Sequence, residues 1–349
     1  MSSKLTYEQP VGVVGAGSFG TAVANILGRR AKVLLYARKP EVARRLAANR
    51  EQMGQRLHVR VEPTNDLARI GQECEVIFPV VPSGSFLSMI RQLAPHLRPY
   101  HMLIHGTKGI LVSREDREGQ SPKLLVEDVC TMSQLIRSES LVVRVGCLAG
   151  PNLAPELAEE QPAATVVASH FDEVIREGQR LLRTDRFQVY GSRDLLGIEL
   201  CGVLKNIIAI GAGALRGMGL GENARSLLVS RGLIEMIYLG RLMGANIQPF
   251  LGLAGIGDLV ATCSSEQSRN FTVGKRLAAG EGIASILEEM DEVAEGVNTT
   301  RIMRELVRNY PMRAPITETL YKVMWEGLPV EEGLRFLMKS PFNIDIDFM

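Results

Sequence analysis

Lys205 sits inside an apolar run, Leu200 to Leu215, in the segment Gly202-Val-Leu-Lys205-Asn206. Lysine is rarely buried without a partner or a task. Out of water it holds its proton less tightly, which suits proton exchange with a carbonyl or alcohol oxygen. The other reading is a helix lysine whose stem lies on apolar surface while its head reaches water. Downstream, Gly252 to Cys263 contains Asp258 and Thr262, and Ser268-Arg269-Asn270 follows. Asp258, between apolar neighbours, suits either a partner for Lys205 or a helix N-cap. Arg269 offers a forked donor for a phosphate, and Asn270 adds another. Thr107-Lys108-Gly109 follows an apolar strand at its carboxyl end, where open α/β sheets bind ligands. Residues of these types suit a small anionic substrate whose carbonyl is reduced or whose alcohol is oxidised.

A second signal lies near the N-terminus, in Val11-Gly-Val-Val-Gly15-Ala-Gly17-Ser18-Phe19-Gly20. An apolar strand runs into Gly-x-Gly-x-x-Gly and then into a helical pattern. Gly15 permits the tight turn, Gly17 lets backbone approach a pyrophosphate, and Gly20 lets the helix pack close to the strand. The free N–H groups of a helix start then face the phosphates. The acidic residue that would bind a ribose 2′-hydroxyl after the second strand is absent. Arg38-Lys39 stands there instead, which suits a 2′-phosphate, so NADP(H) and NAD(H) are both kept as cofactors.

These residues need a scaffold, and the pattern supplies one. Strands are expected at Val11–Val14, Lys32–Tyr36, Val76–Val80, Met102–Ile104, Val142–Leu148, Thr165–Ala168 and Phe187–Tyr190, with helices from Ser18 and Pro40. That alternation implies an α/β fold, a Rossmann-like doubly wound parallel sheet. After Ser192 the β pattern stops. Helical stretches follow at Leu195–Ala214, Ala224–Met243, Val273–Ala279, Ser285–Met290, Asn298–Asn309, Thr317–Trp325 and Val330–Met338, punctuated by Gly and Pro. The expected division is residues 1–192, a dinucleotide-binding domain, and 193–349, an all-α C-terminal substrate-binding domain. Arg114 to Lys123 is charge-dense and reads as an exposed loop.

With 349 residues there is length for two cores. A net charge of +1 gives no basic field for nucleic acid or acidic membranes. Five cysteines without CxxC spacing read as reduced thiols in a cytoplasmic protein, and no metal-ligand spacing is seen. The longest uncharged stretch, Val76 to Ile90, is too short and too interrupted to span a bilayer.

The chain closely resembles the bacterial-type NAD(P)-dependent sn-glycerol-3-phosphate dehydrogenases. The resemblance rests on Gly15-Ala-Gly-Ser-Phe-Gly20, Pro82-Ser83, Thr107-Lys108-Gly109, Ala149-Gly-Pro-Asn-Leu-Ala154-Pro-Glu156, Leu204-Lys205-Asn206, Gly252 to Cys263, Ser268-Arg-Asn270 and Val293-Ala-Glu-Gly296. These run over nearly the whole chain in the family's order. The resemblance implies reduction of dihydroxyacetone phosphate to sn-glycerol 3-phosphate for the glycerophospholipid backbone, by a homodimer without metal. It implies that Lys205 is the acid/base and that Asp258 stands at the substrate; Asp258 and Thr262 are read as orienting Lys205 and the substrate hydroxyls. Lys108, Gly150, Asn152, Asn206, Ser268, Arg269 and Asn270 would surround the substrate. Ser18, Phe19, Arg38, Lys39, Lys108, Ala154, Arg269, Val293 and Glu295 would line the cofactor together with the three glycines. Three features depart from the family: Asn152 replaces its usual Ser or Thr, an arginine shortly after the Pro82-Ser83 pair is missing, and 114–123 resembles an insertion. A 2-keto or 3-hydroxy acid reductase on the same plan, and a non-catalytic NADP(H)-binding regulator, are the rival readings. The Ser268-Arg269-Asn270 triplet and Gly257-Asp258 argue against the first, and the presence of Lys205 and Asp258 against the second.

Overall fold

The structure, a computed structural model, describes residues 9–113, 123–290 and 292–339. The chain forms two compact units, Met1–Lys108 with Thr131–Glu199, and Gly109–Cys130 with Leu200–Met349. Most of the charge-dense stretch expected to be a loop, residues 114–122, lies outside the described residues.

In chain order the strands are β1 (Val11–Val14), β2 (Val33–Tyr36), β3 (Glu51–Gln52), β4 (Gln55–Arg56), β5 (Val61–Thr64), β6 (Val76–Pro79), β7 (Met102–His105), β8 (Ile110–Val112), β9 (Val129–Thr131), β10 (Arg144–Ala149), β11 (Ala163–Ser169) and β12 (Phe187–Ser192). Eight of them build the sheet of the first unit, ordered β12-β11-β10-β7-β6-β1-β2-β5. From β5 to β10 all neighbours are parallel, with Val13 beside Leu35 on one side and Phe78 on the other. The expected parallel, doubly wound sheet is present over these strands; beyond them β11 runs antiparallel to β10, and β12 is parallel to β11. A strand's direction depends on the connection that delivers it, so its own residues do not announce it. The near-continuous apolar residues of β1, β2 and β6 reflect burial on both faces.

Helices α1 (Ser18–Gly28), α2 (Pro40–Asn49), α3 (Leu67–Glu73), α4 (Ser83–Leu93), α5 (Met132–Glu139), α6 (Ala154–Ala158) and α7 (Asp172–Leu182) accompany the sheet. Ala22, Val23, Ile26 and Leu27 of α1 join Val11, Val33 and Phe78 in its core. Thr131 and Gln134 close the start of α5 with a reciprocal capping box.

The long helix α8 (Leu195–Gly217) passes from the first unit into the second. It is long and apolar enough to cross a membrane, but 94% of its apolar window is buried inside the protein, as befits a core helix. The second unit continues with α9 (Glu222–Leu242), α10 (Gln248–Leu251), α11 (Asp258–Ser264), α12 (Arg269–Ala278), α13 (Ile283–Glu289), α14 (Glu295–Val307), α15 (Pro315–Trp325) and α16 (Val330–Met338), beside a ribbon of β8 and β9. Helices α8 and α12 touch at backbone level. A Cβ on Gly213 would lie 1.9 Å from the Phe271 carbonyl oxygen, and one on Gly274 would lie 1.8 Å from that of Ile210. Only glycine allows that approach. Buried Glu235 accepts hydrogen bonds from the N–H groups of Ile316 and Thr317 and from the Thr317 hydroxyl, which fixes the start of α15.

Candidate active site

In the first unit the strand order reverses between β1 and β6. Crevices at such switch points, beyond the carboxyl ends of the strands, hold ligands in open α/β sheets. The loops after β1, β6, β7 and β10 all leave from that edge, because these strands are parallel. They bring together Gly15 to Gly20, Pro82-Ser83, Thr107-Lys108 and Gly150 to Asn152. Gly15 has φ +125, and a Cβ on Gly20 would fall 1.9 Å from the Gly15 carbonyl oxygen. Gly17 is the N-cap of α1, and no side chain caps the helix. A glycine cradle at an uncapped helix start fits a dinucleotide pyrophosphate. Arg38 and Lys39 follow β2 and are exposed, where a 2′-phosphate could be met by charge.

Lys108 Nζ donates to the Gly150 carbonyl at 3.0 Å, linking the loops after β7 and β10. Thr107 donates to the Val81 carbonyl at 2.7 Å and pins the loop after β6. Asn152 donates through Nδ2 to Thr165 at 2.9 Å, while its buried Oδ1 has no hydrogen-bond partner. Ala154 opens α6.

The second unit assembles the lysine cluster. Lys205 is only 5% exposed, and Asp258 only 2%. Lys205 Nζ donates to Asp258 Oδ1 at 2.7 Å and to the Thr262 hydroxyl. Thr262 in turn donates to the Asp258 backbone carbonyl at 2.6 Å, so its lone pairs face the lysine. Asp258 and Thr262 lie four residues apart on α11 and therefore share one face. A π-helical turn, Leu253–Gly257, leads directly into α11, and Asp258 stands in its first turn, where a negative charge is favoured. The expected pairing of Lys205 with Asp258 is thus present, and the capping alternative is not what Asp258 does. Neighbouring Cys263 is held by burial at a thiol pKa pushed up to about 12, which makes it no nucleophile.

Asn206, Asn270 and the start of α14 form an adjoining network. Asn270 Nδ2 donates to Asn206 Oδ1 at 3.0 Å, and Asn270 Oδ1 accepts from the Gly296 N–H at 2.9 Å. Both amides brace α8, α12 and α14, and the second N–H of Asn270 is the donor it can offer a ligand. Ser268 is buried as the N-cap of α12, accepting from the Phe271 N–H at 3.3 Å. Arg269, half exposed, faces Glu292 at 3.8 Å. Glu295 begins α14, and Val293 is exposed.

Sequence reasoning missed a buried polar network in the first unit. Glu199 accepts from the Thr131 hydroxyl, the Ser133 N–H and His105 Nε2, at 3.0, 2.9 and 2.9 Å. His105 ends β7, three residues before Lys108, so this network seats that loop. The only signal was a histidine and a glutamate in otherwise apolar runs. Among the described residues, no group of three or more His, Cys, Asp or Glu side chains could hold a metal ion.

A doubly wound sheet with a glycine cradle at its switch point, and a helical unit with a buried Lys–Asp–Thr cluster, define a dinucleotide-dependent oxidoreductase. Residues 10–175 match the family model for the NAD-dependent glycerol-3-phosphate dehydrogenase N-terminus, and residues 194–335 match that for its C-terminus. The chain belongs to this family. It is 40% identical over 350 residues to a glycerol-3-phosphate dehydrogenase, NAD(P)+, of Pseudomonas putida strain KT2440, covering 99% of this chain and 98% of the relative. A namesake from Pseudomonas aeruginosa strain LESB58 is 38% identical over 352 residues, with the same coverage. The crystal structure of glycerol-3-phosphate dehydrogenase from Coxiella burnetii superposes with a TM-score of 0.85 at 30% identity, covering 95% of this chain and 99% of that one.

Proposed function

We propose that this chain catalyses the reversible NAD(P)H-dependent reduction of dihydroxyacetone phosphate to sn-glycerol 3-phosphate, the backbone of glycerophospholipids. The observation that carries the reading is the buried triangle of Lys205, Asp258 and Thr262. When bound, the dinucleotide supplies the hydride that reaches the ketone carbon. Lys205 Nζ gives its proton to the oxygen that becomes the new hydroxyl, and takes it back in the reverse direction. Asp258, 2.7 Å away, favours the ammonium form and aims it. Thr262 fixes a second N–H of the lysine. Arg269, with Asn270, Ser268 and Lys108, binds the phosphate and hydroxyls. Binding energy from the phosphate then positions the carbonyl. Gly150, Asn152 and Asn206 border the substrate. Gly15, Gly17, Ser18, Phe19, Gly20, Arg38, Lys39, Ala154, Val293 and Glu295 serve the cofactor.

The dinucleotide-binding part is read as residues 1–192 and the substrate part as 193–349, a division supported by the gap between the two family matches, although the compact units place Gly109–Cys130 with the second and 193–199 with the first. The protein is read as a cytoplasmic homodimer. Five cysteines without a disulfide support the compartment. An apolar-lined cleft of about 780 Å³ among α8, α9, α15 and α16 supports pairing of two copies, which light scattering would measure.

The test is Lys205→Met, made alone and with Asp258→Asn so that no buried carboxylate is left without its cation. Both proteins should fold, bind NADPH and lose roughly 10²–10⁴-fold in kcat with dihydroxyacetone phosphate. A folded double variant that keeps more than about a tenth of the wild-type kcat would show that Lys205 is not the acid. Turnover of 2-keto acids but not dihydroxyacetone phosphate by the wild type would reject the substrate.

A further inference from the structure

The hairpin formed by β3 and β4 lies against the glycine loop. Gln52 Nε2 donates to the Ala16 carbonyl at 2.8 Å, and Gln55 Nε2 donates to the Ser18 carbonyl at 3.1 Å. A peptide unit is planar and trans, so its C=O and the following N–H point in opposite directions. Holding the Ala16 and Ser18 carbonyls on the hairpin therefore aims the N–H groups of Gly17 and Phe19 away from it. Those N–H groups belong to the start of α1, the anion-binding end of that helix. Arg45 on α2 donates to Gln52 Oε1 at 3.0 Å and fixes the glutamine amide so that its nitrogen faces Ala16.

The tip of the hairpin is Met53-Gly54, with φ +50 and +76. A two-residue turn with both φ values positive ordinarily takes Asn-Gly or Asp-Gly. A methionine there strains its backbone, and such strain tends to persist where a side chain is needed. Met53 is 53% exposed, so core packing does not explain it. Its Sδ accepts a hydrogen bond from the Ser18 hydroxyl at 3.3 Å.

We propose that the Glu51–Arg56 hairpin is a strap that presets the dinucleotide loop, with Gln52, Gln55 and Met53 as positioning residues for the phosphates of the cofactor. The two glutamines set the peptide planes, and Met53 sets the Ser18 hydroxyl. The proposal rests on the dinucleotide reading of the loop.

Met53→Asn separates the strap from a structural role, because it relieves the turn while removing the contact to Ser18. Without cofactor its melting temperature should equal or exceed that of the wild type. Its Kd for both NADH and NADPH, from nicotinamide fluorescence titration, should rise roughly 3- to 10-fold, the range of one lost hydrogen bond. The kcat at saturating cofactor and the KM for dihydroxyacetone phosphate should stay at wild-type values. Gln52→Glu keeps the shape but turns the donor into an acceptor, and should weaken both dinucleotides further. Affinities within twofold of wild type in both variants would overturn the proposal, as would a fall in affinity matched by a fall in melting temperature in Met53→Asn. Failure of the wild type to bind either dinucleotide would overturn the dinucleotide reading itself, and the strap with it.

Discussion

The glycine loop of the first unit and the Lys205 cluster of the second achieve recognition by opposite means. The loop works by omission. Gly15 and Gly20 carry no side chain where one would collide with backbone, and what remains to meet a ligand is peptide N–H. The cluster works by placing charged side chains where water is excluded, and Lys205 meets partners 53 and 57 positions away in sequence. The first device is contiguous and fails by steric conflict. The second is assembled by the fold and fails by leaving a charge unpaired. The Lys205 variants probe the second device and carry the largest expected effect. The matching probe of the first is Gly20→Ala. Its methyl would sit 1.9 Å from the Gly15 carbonyl oxygen, so strand and helix must separate. The expected loss is about 3 kcal/mol of stability, seen in denaturant melts, together with weaker binding of both dinucleotides. Wild-type stability in that variant would mean that the loop tolerates side chains and that the contrast between the two devices is false.

The same contrast explains what the sequence disclosed. The glycine loop, β1, α1 and β2 were legible because their signals are local: an apolar run, fixed glycine spacing, then 3.6-residue periodicity. The long helices α8 and α9 were legible for the same reason. Edge strand β5 was not, since Glu62 and Pro63 interrupt its pattern. Helix α11 was hidden because its seven residues follow a glycine-rich π turn that looks like a loop. The reversal of β11 and the strap at Glu51–Arg56 depend on partners distant in sequence. In the site, Lys205 stood out as a cation in an apolar run, and Asp258 as an acid in another. The bond between Asn206 and Asn270, 64 positions apart, could not be read from either residue. Nor could that between His105 and Glu199, 94 apart.

A smaller effect sharpens the comparison at the rim of the cluster. Arg269 is half exposed and faces the Glu292 carboxylate at 3.8 Å near the surface, so its guanidinium can turn to an anion without breaking a buried pair. Arg269→Ala should raise the KM for dihydroxyacetone phosphate by roughly 1.5–3 kcal/mol in binding terms, while activity on unphosphorylated dihydroxyacetone, already poor, changes little. Steady-state kinetics on the two ketones read this directly. An equal loss on both would move Arg269 from the phosphate to the cofactor or the fold.

A more selective effect belongs to the loop side, where charge is added to a backbone-built site. Arg38 and Lys39 are exposed after β2 and stand where an acid would otherwise bind the ribose. NADPH carries a 2′-phosphate that NADH lacks, so any charge contact made by Arg38 must appear in one affinity and not the other. Solvent screens an exposed arginine, which keeps the contribution modest. Arg38→Ala should therefore weaken NADPH by roughly 1–2 kcal/mol, about 5- to 30-fold, and leave NADH nearly unmoved. Lys39 covers part of the loss, so the double change with Lys39→Ala should be larger. The pyrophosphate cradle is common to both dinucleotides, so Gly20→Ala and Met53→Asn should shift the two affinities together, whereas Arg38→Ala should separate them. Fluorescence titration with each cofactor measures the separation. If Kd for NADH and NADPH rises by the same factor, Arg38 packs on the adenosine rather than reading the 2′-phosphate. The chain would then have no charge-based reason to prefer NADPH.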